Sequence, residues 1–449
     1  MDLYSEGKSY KLYEGSMLDM LGVIAPDSVD SIVTDPPYEL NFMHKGWDSS
    51  GIAFQASTWE KCLSVLKPGG YLLAFGGSRT YHRIACAIED AGFEIRDTII
   101  WMYGSGFPKS LNVAKGVEAK LTTGGASPKN QRITSMGEDY EPTGQTDYHH
   151  GLMFKNNDDT YVHNDGNMGF THPESQKWRG WGTALKPAYE PIIVARNPCE
   201  GTCVDNVLKY GVGGINIDEC RVETTDTYSY KRCGGSSFGI GKGNDGTREY
   251  SAESNPLGRY PSNIILTYDD SDYKEVCGGM PETENNTKSH LAKNSDNNVN
   301  FNASKIVNII GYSDAGSASR YFYCAKASAR DRDEGCDDLE DGLLHRVNSG
   351  GLENDPKFMP IVRKNIHPTV KPCDLMQYLV RLVTPKGGTV LDPFNGSGST
   401  GKAVMYENRD RASRYNYIGI ELTPEYLPIS DARIKFVEER PNTIRLFDL

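Results

Sequence analysis

The chain has 449 residues, enough for one large domain or two to three ordinary ones, and carries 48 Lys+Arg against 60 Asp+Glu, a net charge of −12. That balance argues against a protein that coats nucleic acid or anionic membrane through bulk electrostatics, while leaving room for a local basic cleft. No apolar run is long enough for a membrane span, the first residues lack the pattern of a secretion signal, and ten Cys spread along the chain fit a reducing, cytoplasmic setting. The spacing of Cys199, Cys203, Cys220 and Cys233 is too irregular for zinc knuckles, so no metal is expected.

In chain order, residues 31–34 are a β-branched run that ends in Asp35-Pro36-Pro37-Tyr38. Residues 54–66 carry helix-spaced apolar positions up to the stop Lys67-Pro68-Gly69-Gly70, and 71–75 read as a buried strand. Gly76-Gly77 turns into a helix with Ile84, Ala87, Ile88 and Ala91 on one face, and 93–103 return as a strand. This alternation predicts a parallel sheet flanked by helices. It stops at Gly104-Ser105-Gly106, and 121–180 have the Gly-, Asn-, Asp-, Thr- and His-rich composition of a long loop or insertion. Residues 188–195 predict a strand that pairs with 98–103. Residues 197–366 form a second polar region, Asn-rich around 284–302, in keeping with a mobile or ligand-ordered module. After His367 the rhythm resumes: helix 373–383, strand 389–391, helix 398–406, strand 417–420, helix 424–438.

The expected organisation is therefore an α/β fold split by insertions. Residues 1–103 form an N-terminal half, 104–187 a polar insertion, 188–196 a returning strand, 197–366 a second inserted region and 367–449 a C-terminal half. No repeat at a fixed period is present.

Two constellations carry chemistry. In Asp35-Pro36-Pro37-Tyr38 the prolines fix φ and give no N–H, so one stiff turn at a strand end presents a carboxylate, carbonyls and an aromatic ring. A carboxylate and a proline carbonyl accept the two hydrogens of an exocyclic amine, and Tyr38 offers a stacking face, so the turn suits a flipped nucleobase. Asp392-Pro393-Phe394-Asn395-Gly396-Ser397-Gly398-Ser399-Thr400 follows a strand and opens a helix. Its glycines let backbone approach a ligand, and the helix N-terminus adds N–H donors; the pattern is neither GxGxxG nor a P-loop. Glu421 ends the next strand, where a carboxylate accepts from ribose hydroxyls.

Together these stretches, with VDSIVTDPPY, LKPGGYLLAFGGSRTYHR, GWGTALKPAYEPIIVAR, YFYCAKAS, NIHPTVKP and VLDPFNGSGSTGKA, resemble the amino-directed DNA methyltransferases of the N-4/N-6 family. The order of motifs resembles the β group and, within it, adenine-specific methylases of phage or prophage type. The resemblance implies a Rossmann-like methyltransferase fold, a mostly parallel twisted sheet with helices on both faces, split by a central target-recognition insertion at 197–366. It implies S-adenosyl-L-methionine as cofactor and double-stranded DNA as partner, with a homodimer suggested by analogy alone.

By the same resemblance Asp35, Pro36, Pro37 and Tyr38 are the catalytic motif. Asp392, Phe394, Gly396, Gly398 and Thr400 form the cofactor loop, Glu421 binds the ribose, and His367, Thr369 and Lys371 of NIHPTVKP lie beside the methionine end of the cofactor. Where relatives carry Gly-Asp near the N-terminus this chain has Gly15-Ser16, so that role is missing or passes to Asp19. Asp at the first motif position inclines the reading to the N6 amine of adenine; N4-cytosine methylation and a catalytically idle DNA-binding or cofactor-sensing protein are the alternatives. Phe42 and Trp47 in the following loop are candidates to assist stacking, with packing as the equal alternative for each. Lys45, Arg79, His82, Arg83, Lys109, Lys186, Arg259, Arg320, Lys326, Arg330 and Arg332 are candidates to grip phosphate.

Overall fold

A computed structural model describes residues 2–40, 46–103, 110–123, 153–155, 161–163, 172–223, 228–232, 248–252, 257–267, 282–283, 316–317, 322–325, 329–344 and 361–440. Two units are distinguished, one of residues 1–105, 188–344 and 362–449, the other of 106–187 and 345–361.

The first unit is built on one sheet. Its strands are β1 (Asp2–Glu6), β2 (Tyr10–Glu14), β3 (Val29–Thr34), β4 (Leu66–Phe75), β5 (Glu94–Tyr103), β6 (Tyr189–Arg196), β7 (Ile264–Thr267), β8 (Tyr323–Cys324), β9 (Thr389–Asp392) and β10 (Asn416–Glu421). The order is β1-β2-β10-β9-β3-β4-β6-β5-β7-β8. Among these, only β1 and β6 run antiparallel to their neighbours. The helices of eight residues or more among the described residues are α1 (Ala56–Val65), α2 (Tyr81–Asp90), α3 (Val113–Thr123), α4 (Cys203–Tyr210), α5 (Cys373–Val383), α6 (Ser399–Arg411) and α7 (Leu427–Glu438); α3 belongs to the second unit.

Side-chain alternation along the central strands explains the layers. Tyr71, Leu73 and Phe75 of β4 join Val33, Ile192 and Val194 in a core sealed by Leu375, Met376 and Leu379 of α5, Val404 of α6 and Ile434 of α7. Leu72 and Ala74 face the other way, with Ile32, Ile193 and Leu391, onto Trp59 and Cys62 of α1 and Ile84 and Ile88 of α2. Each fully buried Leu, Ile or Phe stabilises these layers by about 1.5–3 kcal/mol.

The mostly parallel sheet with helices on both faces is the architecture the sequence predicts, with four differences. β4 begins at Leu66, directly after α1, so Lys67-Pro68-Gly69-Gly70 lies within a strand. The irregularity those residues encode is a register shift between Val29 and Ser31 of the partner strand, and Gly69 adopts φ +80°. The hairpin β1–β2 was not predicted; its strands are short, and β1 is mostly exposed, which leaves little apolar pattern to read. Region 197–366 contributes β7 and β8 to the sheet, parallel to β5, although it reads as polar throughout. Finally, α3 lies partly inside the stretch read as a loop. In the second unit it packs with the short helix Pro173–Lys177, and the His172 N–H donates to Glu118.

Among the described residues, no group of three or more His, Cys, Asp or Glu is arranged to hold a metal ion, and no helix is long and apolar enough to cross a membrane. Cys233 lies outside the described residues, as do Phe42, Lys45, Lys109, Arg320 and Lys326; the side chains of Trp47 and Arg330 are likewise not described.

Candidate active site

β3 and β9 are adjacent and parallel, with Leu391 opposite Ile32, so the turns that follow them emerge side by side at the carboxyl edge of the sheet. This is where ligands bind in open α/β sheets. A short buried bridge joins the two turns: Thr34 Oγ1 donates to Asp392 Oδ1 at 2.6 Å, and Thr400 Oγ1 donates to Asp392 Oδ2 at 2.7 Å. The Phe394 N–H adds a third bond to Oδ1 at 3.1 Å. Burial pushes the Asp392 carboxyl up to about 7 against these three donors. Asp392 and Thr400, expected to touch the cofactor, thus spend their polar atoms bracing one turn against the other. Phe394 is likewise turned toward the core, where its ring meets that of Trp59 with centroids 6.4 Å apart.

The glycine turn itself is shaped by backbone. Gly396 has φ +53°, and a Cβ there would lie 2.8 Å from His367 Nε2; Gly398 has φ +72°, and its Cβ would lie 2.5 Å from Ser430 Oγ. Both conformation and space therefore demand glycine. The Gly396 N–H donates to Glu421 Oε2 at 2.6 Å, and the Thr423 N–H to Oε1 at 2.8 Å. Glu421 is buried, and burial raises its pKa despite these bonds. Gly15 completes this corner by donating its N–H to the Glu421 carbonyl at 2.9 Å. Ser16 caps the turn Met17–Met20, and Asp19 is exposed on it. From behind, Arg433 donates to the Ser397 carbonyl at 2.6 Å and to the Asp331 carbonyl at 3.1 Å. Lys402 pairs with Asp331 at 2.8 Å and Glu334 at 3.0 Å.

His367 is buried against Tyr426, ring centroids 4.6 Å apart, and its carbonyl accepts from Arg332 at 2.7 Å. Burial, with the nearby cations Arg433, Lys371 and Arg332, holds its pKa down at about 3, so the ring is neutral at ordinary pH. Arg332, a candidate for DNA phosphate, is thus engaged within the fold. Thr369 is exposed.

The Asp35 turn is assembled from distant segments. Lys371 Nζ donates to Asp35 Oδ2 at 2.6 Å and lies 3.4 Å from Glu190 Oε2, while standing 5.3 Å from the Tyr38 ring centre and 4.9 Å from that of Phe75. Tyr38 Oη donates to Glu190 Oε2 at 2.7 Å, and Tyr103 Oη to Oε1 at 3.3 Å. A Cβ on Gly77 would lie 3.2 Å from the Tyr38 ring, so the Gly76-Gly77 turn leaves room for the aromatic. Asp35 Oδ1 is buried and has no hydrogen-bond partner among the described residues. Burial raises the Asp35 pKa, Lys371 pulls it down and Glu190 pushes it up, the net direction being upward. Burial disfavours the Lys371 cation, but the Asp35 and Glu190 carboxylates outweigh it and raise its pKa.

Two placements add to the sequence reading. Lys371, expected beside the cofactor, is ion-paired to Asp35. Glu190, within the quoted AYEPIIVA but given no role, joins Asp35, Tyr38 and Lys371 in one cluster. The signal available for it was a charged residue followed by Pro191 at the start of a strand otherwise apolar from Pro191 to Ala195. Exposed Arg79, His82 and Arg83 flank the same edge at the start of α2.

A family model for N-6/N-4 DNA methylases matches residues 29–432. The Type II methyltransferase M2.DpnII of Streptococcus pneumoniae is 37% identical over 226 residues, 45% of this chain and 79% of that protein. The Type II methyltransferase M.BglI of Bacillus subtilis is 43% identical over 79 residues, 17% of this chain and only 21% of that protein. The solved structure of PvuII DNA methyltransferase (cytosine-N4-specific) aligns over 99% of this chain and 100% of that one with 12% identity and a TM-score of 0.40.

Proposed function

The chain belongs to the N-6/N-4 DNA methylase family, whose cofactor is S-adenosyl-L-methionine, and on that premise we propose that it methylates the N6 amine of adenine in double-stranded DNA. The observation that carries the reading is Asp35 Oδ1, a buried acceptor with no partner among the described residues, beside the Tyr38 ring at the sheet edge where the glycine turn emerges.

The glycine corner fits the cofactor. Glu421 Oε1 and Oε2 each accept one backbone N–H and keep a lone pair for a ribose hydroxyl, and the positive-φ glycines let the turn pack closely against His367 and Ser430. When bound, the cofactor supplies an electrophilic methyl on a sulfonium, whose sulfur keeps the bonding electron pair as the methyl leaves.

The protein's share of the chemistry follows from the Asp35 turn. An aromatic amine is a weak nucleophile because its lone pair is delocalised into the ring. Asp35 Oδ1 and the Pro36 carbonyl accept its two N–H groups and localise that pair on nitrogen. As the new N–C bond forms, nitrogen becomes positive, and its surplus proton passes along the existing hydrogen bond to Oδ1. Positioning and electrostatics lower the barrier, without a covalent enzyme intermediate. The base is extruded from the duplex at a cost of a few kcal/mol and stacks on Tyr38. Arg79, His82 and Arg83 contact phosphate, and the polar region 197–366 carries sequence recognition.

Nucleoside mass spectrometry on unmethylated DNA, after incubation with purified protein and S-adenosyl-L-methionine, tests the proposal. N6-methyladenine is expected. N4-methylcytosine would overturn the choice of base, and no modified base in DNA of varied sequence would overturn the activity.

A further inference from the structure

The cluster around Asp35 holds more charge than amine binding requires. Asp35 and Glu190 bring two carboxylates from β3's exit turn and from β6, and Lys371 brings one ammonium from the segment before α5. Glu190 accepts from Tyr38, Tyr103 and the ammonium, the pattern of an ionised acceptor rather than of a protonated acid. Lys371 sits closer to Asp35 than to Glu190, 2.6 Å against 3.4 Å, so it neutralises the carboxylate nearest the amine and leaves one negative charge over. Methyl transfer turns the amine nitrogen from neutral to cationic, and a fixed negative charge nearby favours that change more than it favours the bound substrate.

We propose that Glu190 and Lys371 are paired positioning residues: Lys371 holds Asp35 Oδ2 so that Oδ1 faces the amine, and Glu190 supplies the uncompensated charge that stabilises the cation forming there. This deepens the adenine-amine reading and rests on it. Besides this pair, the titratable groups facing Asp35 are Tyr38 and Asp392.

The two partners act on Asp35 in opposite senses, Lys371 favouring its ionised form and Glu190 disfavouring it. The rate requires ionised Asp35, so Glu190→Gln moves the acid limb of the kcat–pH profile to lower pH and Lys371→Gln moves it to higher pH. The glutamine at 190 keeps the shape and an acceptor for Tyr38, yet kcat falls about tenfold or more, with KM for DNA and cofactor little changed. A merely structural Glu190 would be rescued by that isostere.

Wild type and both variants are assayed as full-length protein, with melting and cofactor titration recorded for each. The proposal stands if kcat falls and the limbs move apart as stated. It is overturned if Glu190→Gln keeps wild-type kcat and profile, or if both limbs move the same way. If one variant fails to fold, the direction taken by the other decides. A wild type that modifies no DNA would instead defeat the functional reading on which the proposal depends.

Discussion

The two turns at the sheet edge use buried charge in opposite ways. Behind the glycine turn, the side chains of Lys402 and Arg433 are 0% exposed, and the ions hold only protein: Asp331, Glu334 and the Ser397 carbonyl. At the Asp35 turn the cation is also shut in, Lys371 being 8% exposed, and the carboxylates are about as open as those of the scaffold: Asp35 22% and Glu190 21% against Asp331 12% and Glu334 23%. The same residue types therefore serve as scaffold and as chemistry at similar exposure. A salt bridge alone does not reveal a site; what marks the Asp35 turn is a buried carboxylate oxygen, Oδ1, without a partner among the described residues and beside an aromatic ring at the sheet edge, whereas behind the glycine turn Arg433 leaves a donor, Nε, unpaired among them.

This contrast breaks most readily at the scaffold. Arg433→Met removes the more distant of the two cations on Asp331, with Lys402 remaining at 2.8 Å, and takes away the donor to the Ser397 carbonyl; it costs about 1–3 kcal/mol, the range for a buried acceptor left unsatisfied. Chemical denaturation checks it; a loss below about 1 kcal/mol would mean that the ions are not the brace described.

Gly398→Ala is next. Left-handed φ costs about 1–2 kcal/mol, and the clash with Ser430 adds to it. Cofactor affinity measured by calorimetry should drop together with melting temperature. A drop in affinity without any loss of stability would place Gly398 in direct contact with ligand instead.

His367→Gln sharpens the comparison through pH. The folded-state pKa near 3 lies below the ordinary 6.5, so the unfolded chain binds the proton first. Stability from neutral His367 is present above about pH 6.5 and is lost as pH falls toward 3, by up to about 1.4 kcal/mol per unit. Denaturation at pH 5 and pH 7 should give a smaller difference for the variant than for wild type; equal differences would show that His367 titrates normally.

The glycine turn was largely legible in the sequence because its determinants are local. Strand 389–391, two glycines, a helix start and Glu421 lie within about thirty residues, and backbone conformation alone explains the glycines. Asp392 and Thr400, read in the sequence as part of the cofactor loop, also join two strands' exits through hydrogen bonds that local sequence does not announce. The Asp35 turn was legible only in part. Asp35-Pro36-Pro37-Tyr38 announces itself, but Lys371 is 336 positions from Asp35 and Glu190 is 152 from Tyr38, and no spacing rule reaches that far. β6 explains the meeting. By inserting antiparallel between β4 and β5 it carries Glu190 to the edge where Tyr38 emerges, a placement fixed by sheet order rather than by sequence neighbours. For the same reason β7 and β8 went unseen: strands of four and two residues in polar surroundings leave almost no periodic signal.

The most direct test of this division of labour is to measure cofactor affinity and single-turnover methyl transfer on the same preparation of Asp35→Ala. Affinity within a few-fold of wild type is expected, with transfer to DNA lowered by about 10²–10³ or more. Transfer at the wild-type rate, or loss of cofactor binding in a variant that melts like wild type, would contradict it.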